Sequence, residues 1–195
     1  MFSPIITLYT YFPLQFYICL TIDLLIVVFG IVFAIFMHKK GRFDKAQLIA
    51  CIVLFTWAAF VLFLTVLGRR MHTDLTENYN LEFFSCYRHI IIEHSRSAFK
   101  STLQNILMFI PVGFMLSAVF KNNHKVIIPV IISFVFSLLI EISQLLLRSG
   151  FFELDDLFNN TLGALVGIVI YLIISKIYRT VCKKEGAHHA AKRHR

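Results

Sequence analysis

Charge is scarce in this chain of 195 residues. Lysine, arginine, aspartate and glutamate make up 15% of it, against roughly 25% in soluble domains. Hydrophobic residues make up 58%, and the mean hydropathy is +0.75. A soluble domain of that composition would expose far more apolar surface than water tolerates, so that class is excluded. Cysteine is also sparse: Cys19, Cys51, Cys86 and Cys182 form no C-x-x-C pair, which argues against a disulfide framework or a zinc ribbon. There is no G-x-S-x-G, no H-E-x-x-H and no phosphate-binding loop. The start of the chain lacks a basic segment followed by a short apolar run and cleavage site, so no removed signal peptide is expected. Internal repeats and coiled-coil heptads are absent as well. The net charge of +8 implies no nucleic acid, because the basic residues fall where a membrane protein places them.

What the chain does contain is apolar runs of about 20 residues, each long enough to cross a hydrocarbon core about 30 Å thick. The predicted fold is all-α and polytopic, with five spans at about 16–37, 46–68, 103–120, 126–147 and 159–178. Residues 1–15 read as an interfacial lead-in, 69–102 as one long polar loop and 179–195 as a disordered basic tail. Loop 38–45, turn 121–125 and the tail from Lys176 carry 13 Lys/Arg and 2 acids; loop 69–102 with corner 148–156 carries 6 and 7. Basic residues stay inside, so the N-terminus and the 69–102 loop are expected outside and the C-terminus in the cytoplasm. Arg69 and Arg70, just after the second span, run against this pattern but are outnumbered. In the outer loop, the mixed apolar and charged stretch YRHIIIEHSRSAF suits a helix lying on the leaflet.

The polar groups are concentrated in Ser137–Gly167, two apolar helical runs joined by a polar corner. Glu141, Gln144 and Arg148 recur at three and four residues and share one face, with Ser137 and Ser133 near the same stripe. A carboxylate within a span costs roughly 2.5–3.5 kcal/mol at mid-membrane and marks a site by default. Its plain reading is a packing pair with Arg148 or an amide. Asp155 and Asp156 open the next helix, where acids are common caps. Together with Glu141 they suit oxygen coordination of a divalent cation or acid–base work. The cation of Arg148 argues against a dedicated metal cage, so no metal or cofactor is assigned. Asn105 enters the third span ahead of Pro111, which deprives the Leu107 carbonyl of its helical donor. Asp156, Asn160, Gly163 and Gly167 follow at helical spacing, and the G-x-x-x-G pair admits a close helical neighbour. Asp23 is a further acid within the first span. Asn159-Asn160-Thr161 matches a glycosylation sequon but abuts a span and is discounted.

Four stretches together resemble the VanZ-like family of bacterial membrane proteins: Asn80–Phe84, Asn105–Phe114, Glu141 with Gln144, and Arg148 through Asp155-Asp156-Leu157 to Asn160–Gly163. Phe83 stands where family members usually carry proline. The resemblance implies residence in the cytoplasmic membrane of Gram-positive bacteria and an association with resistance to glycopeptides of the teicoplanin type. It implies no established reaction. Three readings follow for the outer polar site. One is a binding protein that engages a membrane lipid, a lipid-linked cell-wall precursor or the lipoglycopeptide antibiotic. Another is a membrane-embedded enzyme acting on such a precursor, and the third a small transporter or flippase. The first ranks highest, because no nucleophile–base set and no repeat symmetry is visible.

The charge asymmetry generates a direct test. In intact cells, a cysteine introduced near Ser85 is expected to react with an impermeant maleimide, and one near Ala187 to stay unlabelled. The reverse pattern would overturn the outward orientation.

Overall fold

The computed structural model describes residues 13–67, 79–120, 126–147 and 149–193, with side chains from 17 to 182 within those ranges. The lead-in up to residue 12, turn 121–125 and Arg148 therefore lie outside the described residues. Among the described residues there are six α-helices: α1 Pro13–Lys39, α2 Lys45–Leu62, α3 Ser85–Ile91, α4 Arg96–Val119, α5 Ile127–Leu146 and α6 Leu154–Arg193. Two two-residue strands, β1 Tyr79–Asn80 and β2 Phe152–Glu153, pair in parallel. Every helix except α3 is long and apolar enough to cross a membrane. The chain is thus an all-α multi-pass membrane protein.

Local signals set the helix ends. Asp44 caps α2 through a capping box: its Oδ1 accepts from Gln47 N at 2.9 Å, and Gln47 Oε1 accepts from Asp44 N at 3.0 Å. The Gln47 amide then donates across to Val119 O at 2.7 Å, satisfying a carbonyl at the end of α4. Two boundaries differ from the hydropathy reading. The helix that carries the fifth span begins at Leu154, ahead of the apolar run, with Asp155 and Asp156 in its first turn as expected of capping acids. The tail continues α6 to Arg193 instead of being disordered. Its lysines, alanines and glutamate are good helix formers that prolong a helix already nucleated.

Packing is tightest between α4 and α6, which run parallel. A Cβ added at Gly163 would overlap the Ile106 carbonyl, one at Gly167 the Ile110 carbonyl, and one at Gly113 the Ala164 carbonyl. The two backbones therefore touch, as small-residue pairs allow in lipid. Phe109, Val112, Leu116, Ile140, Ala164 and Val61 fill the core beside this contact, all at most 3% exposed. Pro111 stays within α4. Beside it, the Trp57 indole donates to the Met108 carbonyl at 2.9 Å and ties α2 to α4. At its far end α2 passes into a π-helical turn, Phe63–Leu67. The outward faces of the spans carry Leu25, Phe29, Val32 and Val169, as a lipid-facing surface requires.

Within the 69–102 loop, the stretch YRHIIIEHSRSAF expected to be helical is covered by α3 and the first turn of α4, with a break between Ile91 and Arg96. Ser85 is buried there, so Glu93, which is exposed, is the better site for the labelling test. The glycine contact yields a second prediction. Gly163→Ala and Gly167→Ala are expected to lose about 1–3 kcal/mol through overpacking against backbone that cannot yield, and the Leu variants to yield no folded protein. Thermal stability of purified detergent-solubilised protein reads the effect; wild-type stability in the Leu variants would exclude the contact.

Candidate functional site

Two layers of polar groups and a cavity beside them gather where α4 and α6 begin and α5 ends. The outermost is a clamp centred on Asp155, which is 2% exposed. Its Oδ1 accepts from Phe84 N at 2.6 Å, and its Oδ2 accepts from Ser85 Oγ at 3.0 Å and Cys86 N at 2.8 Å. These are donors at the start of α3, which lack helical acceptors and favour a negative charge. Phe84 takes the left-handed conformation, φ 64°, to present its N–H. Asn80 completes the corner: its amide donates to Ser85 Oγ at 2.9 Å and its Oδ1 accepts from Glu82 N at 3.0 Å. Asn159 adds a second tie, accepting from Tyr87 Oη at 2.5 Å. Burial, with smaller contributions from the Asp155 carboxylate, pushes the Cys86 thiol above its ordinary value, and burial likewise raises the Tyr87 phenol. Both groups therefore stay protonated at neutral pH, and Cys86 is a poor nucleophile.

Beneath the clamp lies a buried polar layer within the bundle. Glu141 is 1% exposed, and its Oε2 accepts from Glu153 N at 3.1 Å. The carboxylate thus holds strand β2 where the corner leaves α5. Gln144 donates to Thr65 O in the π-helical turn at 3.1 Å, and Asn160 donates to Ser137 Oγ at 2.9 Å. Asn105 is also buried. The Gln144 Oε1, Asn160 Oδ1, Asn105 Nδ2, Ser133 Oγ and Ser149 Oγ atoms have no hydrogen-bond partner among the described residues. Buried polar groups are ordinarily satisfied by protein partners or ordered water. Asp23 is buried in α1, with Oδ1 likewise without a partner among the described residues.

Beside both layers is a polar cavity of about 370 Å³. Asn80, Ser85, Cys86 and His89 line one wall, Ser97, Ser101 and Thr102 of α4 another, and Glu153 with Asp156 the floor. His89 Nδ1 lies 2.8 Å from Glu93 Oε1. A larger cavity, about 670 Å³, runs along the opposite end of α6 beside Lys176 and Arg179. It gathers none of these carboxylates.

The structure separates the residues that sequence grouped. Asp156 lines the cavity, Asp155 is a structural clamp, Glu141 sits behind β2, and Gln144, Asn160 and Asn105 belong to the buried layer. Arg148, expected as the partner of Glu141, lies outside the described residues. Among the described residues no group of three or more His, Cys, Asp or Glu side chains is placed to hold a metal. Sequence reasoning passed over His89, Glu153, Ser97, Ser101 and Thr102. One signal was available: Ser97, Ser101 and Asn105 recur every four residues on one stripe of α4.

Compared with known proteins, the model of the family described as VanZ/LLP1 matches residues 49–175. That range holds both polar layers and the cavity but omits the whole of α1, including Asp23. No curated protein and no solved structure matches the chain.

The clamp predicts a local stability effect. Asp155→Asn removes the charge that serves three donors and is expected to destabilise by about 2–3 kcal/mol, the loss typical of charge-assisted hydrogen bonds. Amide exchange of residues 84–92 should accelerate while the five long helices keep their protection. Unchanged exchange there would show that Asp155 does not hold α3.

Proposed function

We propose, from the premise that this chain belongs to the VanZ/LLP1 family, that its polar cavity engages the headgroup of an amphiphile in the outer leaflet of the bacterial cytoplasmic membrane. The amphiphile is a lipid-linked cell-wall precursor, a membrane lipid or a lipoglycopeptide of the teicoplanin type, and its engagement contributes to antibiotic resistance. The cavity carries this reading: about 370 Å³ of polar space at one end of a five-span bundle, with Asp156, Glu153 and His89 on its lining. A headgroup bearing hydroxyls, amides or an amine finds hydrogen-bonding partners there, and its chain lies along the apolar flank of the spans. Asp156 touches the ligand. Glu141 acts one step removed, as a positioning residue, because its hydrogen bond from Glu153 N fixes the floor of the cavity.

One observation favours a second reading as a membrane enzyme acting on the same precursor. His89, on the cavity wall, has Glu93 against its Nδ1, the arrangement that orients an imidazole for proton transfer. Turnover of a lipid-linked precursor by the purified protein, lost in His89→Gln, would decide for this reading.

The binding reading is tested in a teicoplanin-sensitive Gram-positive host in which the wild-type chain is protective. Asp156→Asn and Glu141→Gln are expected to accumulate normally in the membrane and to return susceptibility to that of the empty vector. Glu141→Gln keeps an acceptor for Glu153 N, so its loss of protection separates charge from packing. Full protection by both abundant variants would refute the role of these carboxylates.

A further inference from the structure

The wall that closes the cavity, residues 81–99, has an apolar outer face. Phe84, Tyr87 and Ile91 follow at i, i+3 and i+7 along α3, while Ser85 and His89, on the opposite face, line the cavity. Leu81, Phe83, Phe84, Ile91 and Ile92 are 53–70% exposed. Five large apolar side chains so close together are unfavourable in water.

Two observations say what covers them. The patch is continuous with the surface that faces lipid. The Phe83 ring packs 6.2 Å from Phe84, which in turn meets Phe158 edge-on at 5.6 Å, and Phe158 projects outward from the early turns of spanning helix α6. On α4 the exposed Phe99, Leu103 and Leu107 extend the surface at i, i+4 and i+8. The second observation is the level at which the patch is held. Asp155, in the first turn of α6, fixes the N-terminus of α3, so the patch sits at the end of a span and not out in solvent. Two ion pairs lie within the segment, Arg88 with Glu82 at 3.2 Å and His89 with Glu93 at 2.8 Å. Ion pairs beside an apolar face are the composition of a segment lying in the headgroup layer.

We infer that residues 81–99 form an interfacial platform inserted into the leaflet beside the cavity. Leu81, Phe83, Phe84, Ile91 and Ile92 sit among the upper acyl carbons of phospholipids, and the cavity opens into the headgroup layer instead of bulk water. An amphiphile reaches the cavity sideways through the leaflet without leaving it. Phe83, 66% exposed, adds the largest ring surface to the platform. The inference goes beyond the proposed ligand and does not depend on it, since the depth of the platform is measurable with the cavity empty.

The test is spin labelling of the full chain, with Cys86→Ser and Cys182→Ser, in vesicles of phosphatidylglycerol and phosphatidylethanolamine. Labels go at Ile92→Cys and, independently, at Phe83→Cys. Leu107→Cys on a lipid-facing stripe and Arg42→Cys in an exposed turn serve as references. The ratio of collision with oxygen to collision with a water-soluble nickel chelate is expected to approach that of Leu107 and to exceed that of Arg42 several-fold. Ratios at both positions equal to that of Arg42 would overturn the platform, whatever the resistance assay shows.

Discussion

The fold depends on one close contact, the parallel approach of α4 and α6. Glycine at 113, 163 and 167 lets the two helices meet backbone to backbone, and no larger residue fits at those points. In lipid, where burying apolar side chains gains little over leaving them among acyl chains, such dispersion contact is a main source of helix association. The contact also fixes register. With Ile106 level with Gly163, the first turns of α4 and α6 stand side by side, so Ser97, Ser101 and Thr102 face the region of Asp156. The cavity is the space this register leaves open.

The polar groups above the contact solve a second problem. A segment that returns to the membrane surface between two spans leaves backbone N–H groups without water to satisfy them. Asp155 takes donors from α3 and Glu141 takes one from β2, so two carboxylates hold irregular backbone at the edge of the bundle. Asn80 likewise accepts from Glu82 N, and Asn159 ties α3 to α6 by accepting from the Tyr87 hydroxyl. The stretches by which the chain resembles its family are therefore to a large extent the anchors that keep one wall and the floor of the cavity in place. Asp156 and His89 line the open space beside these anchors.

Much of the architecture was legible in the sequence, because membrane spanning is a local property. Each span is a run of about twenty apolar residues whose hydropathy needs no tertiary partner to be read. Helical periodicity alone placed Glu141 and Gln144 on one face and exposed the Gly163–Gly167 pair, since spacing along a helix fixes direction around it. Composition likewise set the class, because so few charges leave no soluble alternative.

Tertiary structure decided which role each polar residue takes. Asp155 and Asp156 are adjacent and chemically identical, but about 100° of helical rotation turns one toward the N-terminus of α3 and the other toward the cavity. No local pattern ranks them, because the donors from Phe84 and Cys86 lie some seventy residues earlier in the chain. Glu141 reads in sequence as a site carboxylate within a span or as a packing partner until its hydrogen bond from β2 is seen, and the partner of Gly163 is unknowable until α4 is seen beside it. The distinction is physical: hydropathy and periodicity belong to a segment, whereas desolvation, hydrogen-bond partners and access to a ligand belong to neighbours that only the folded chain supplies.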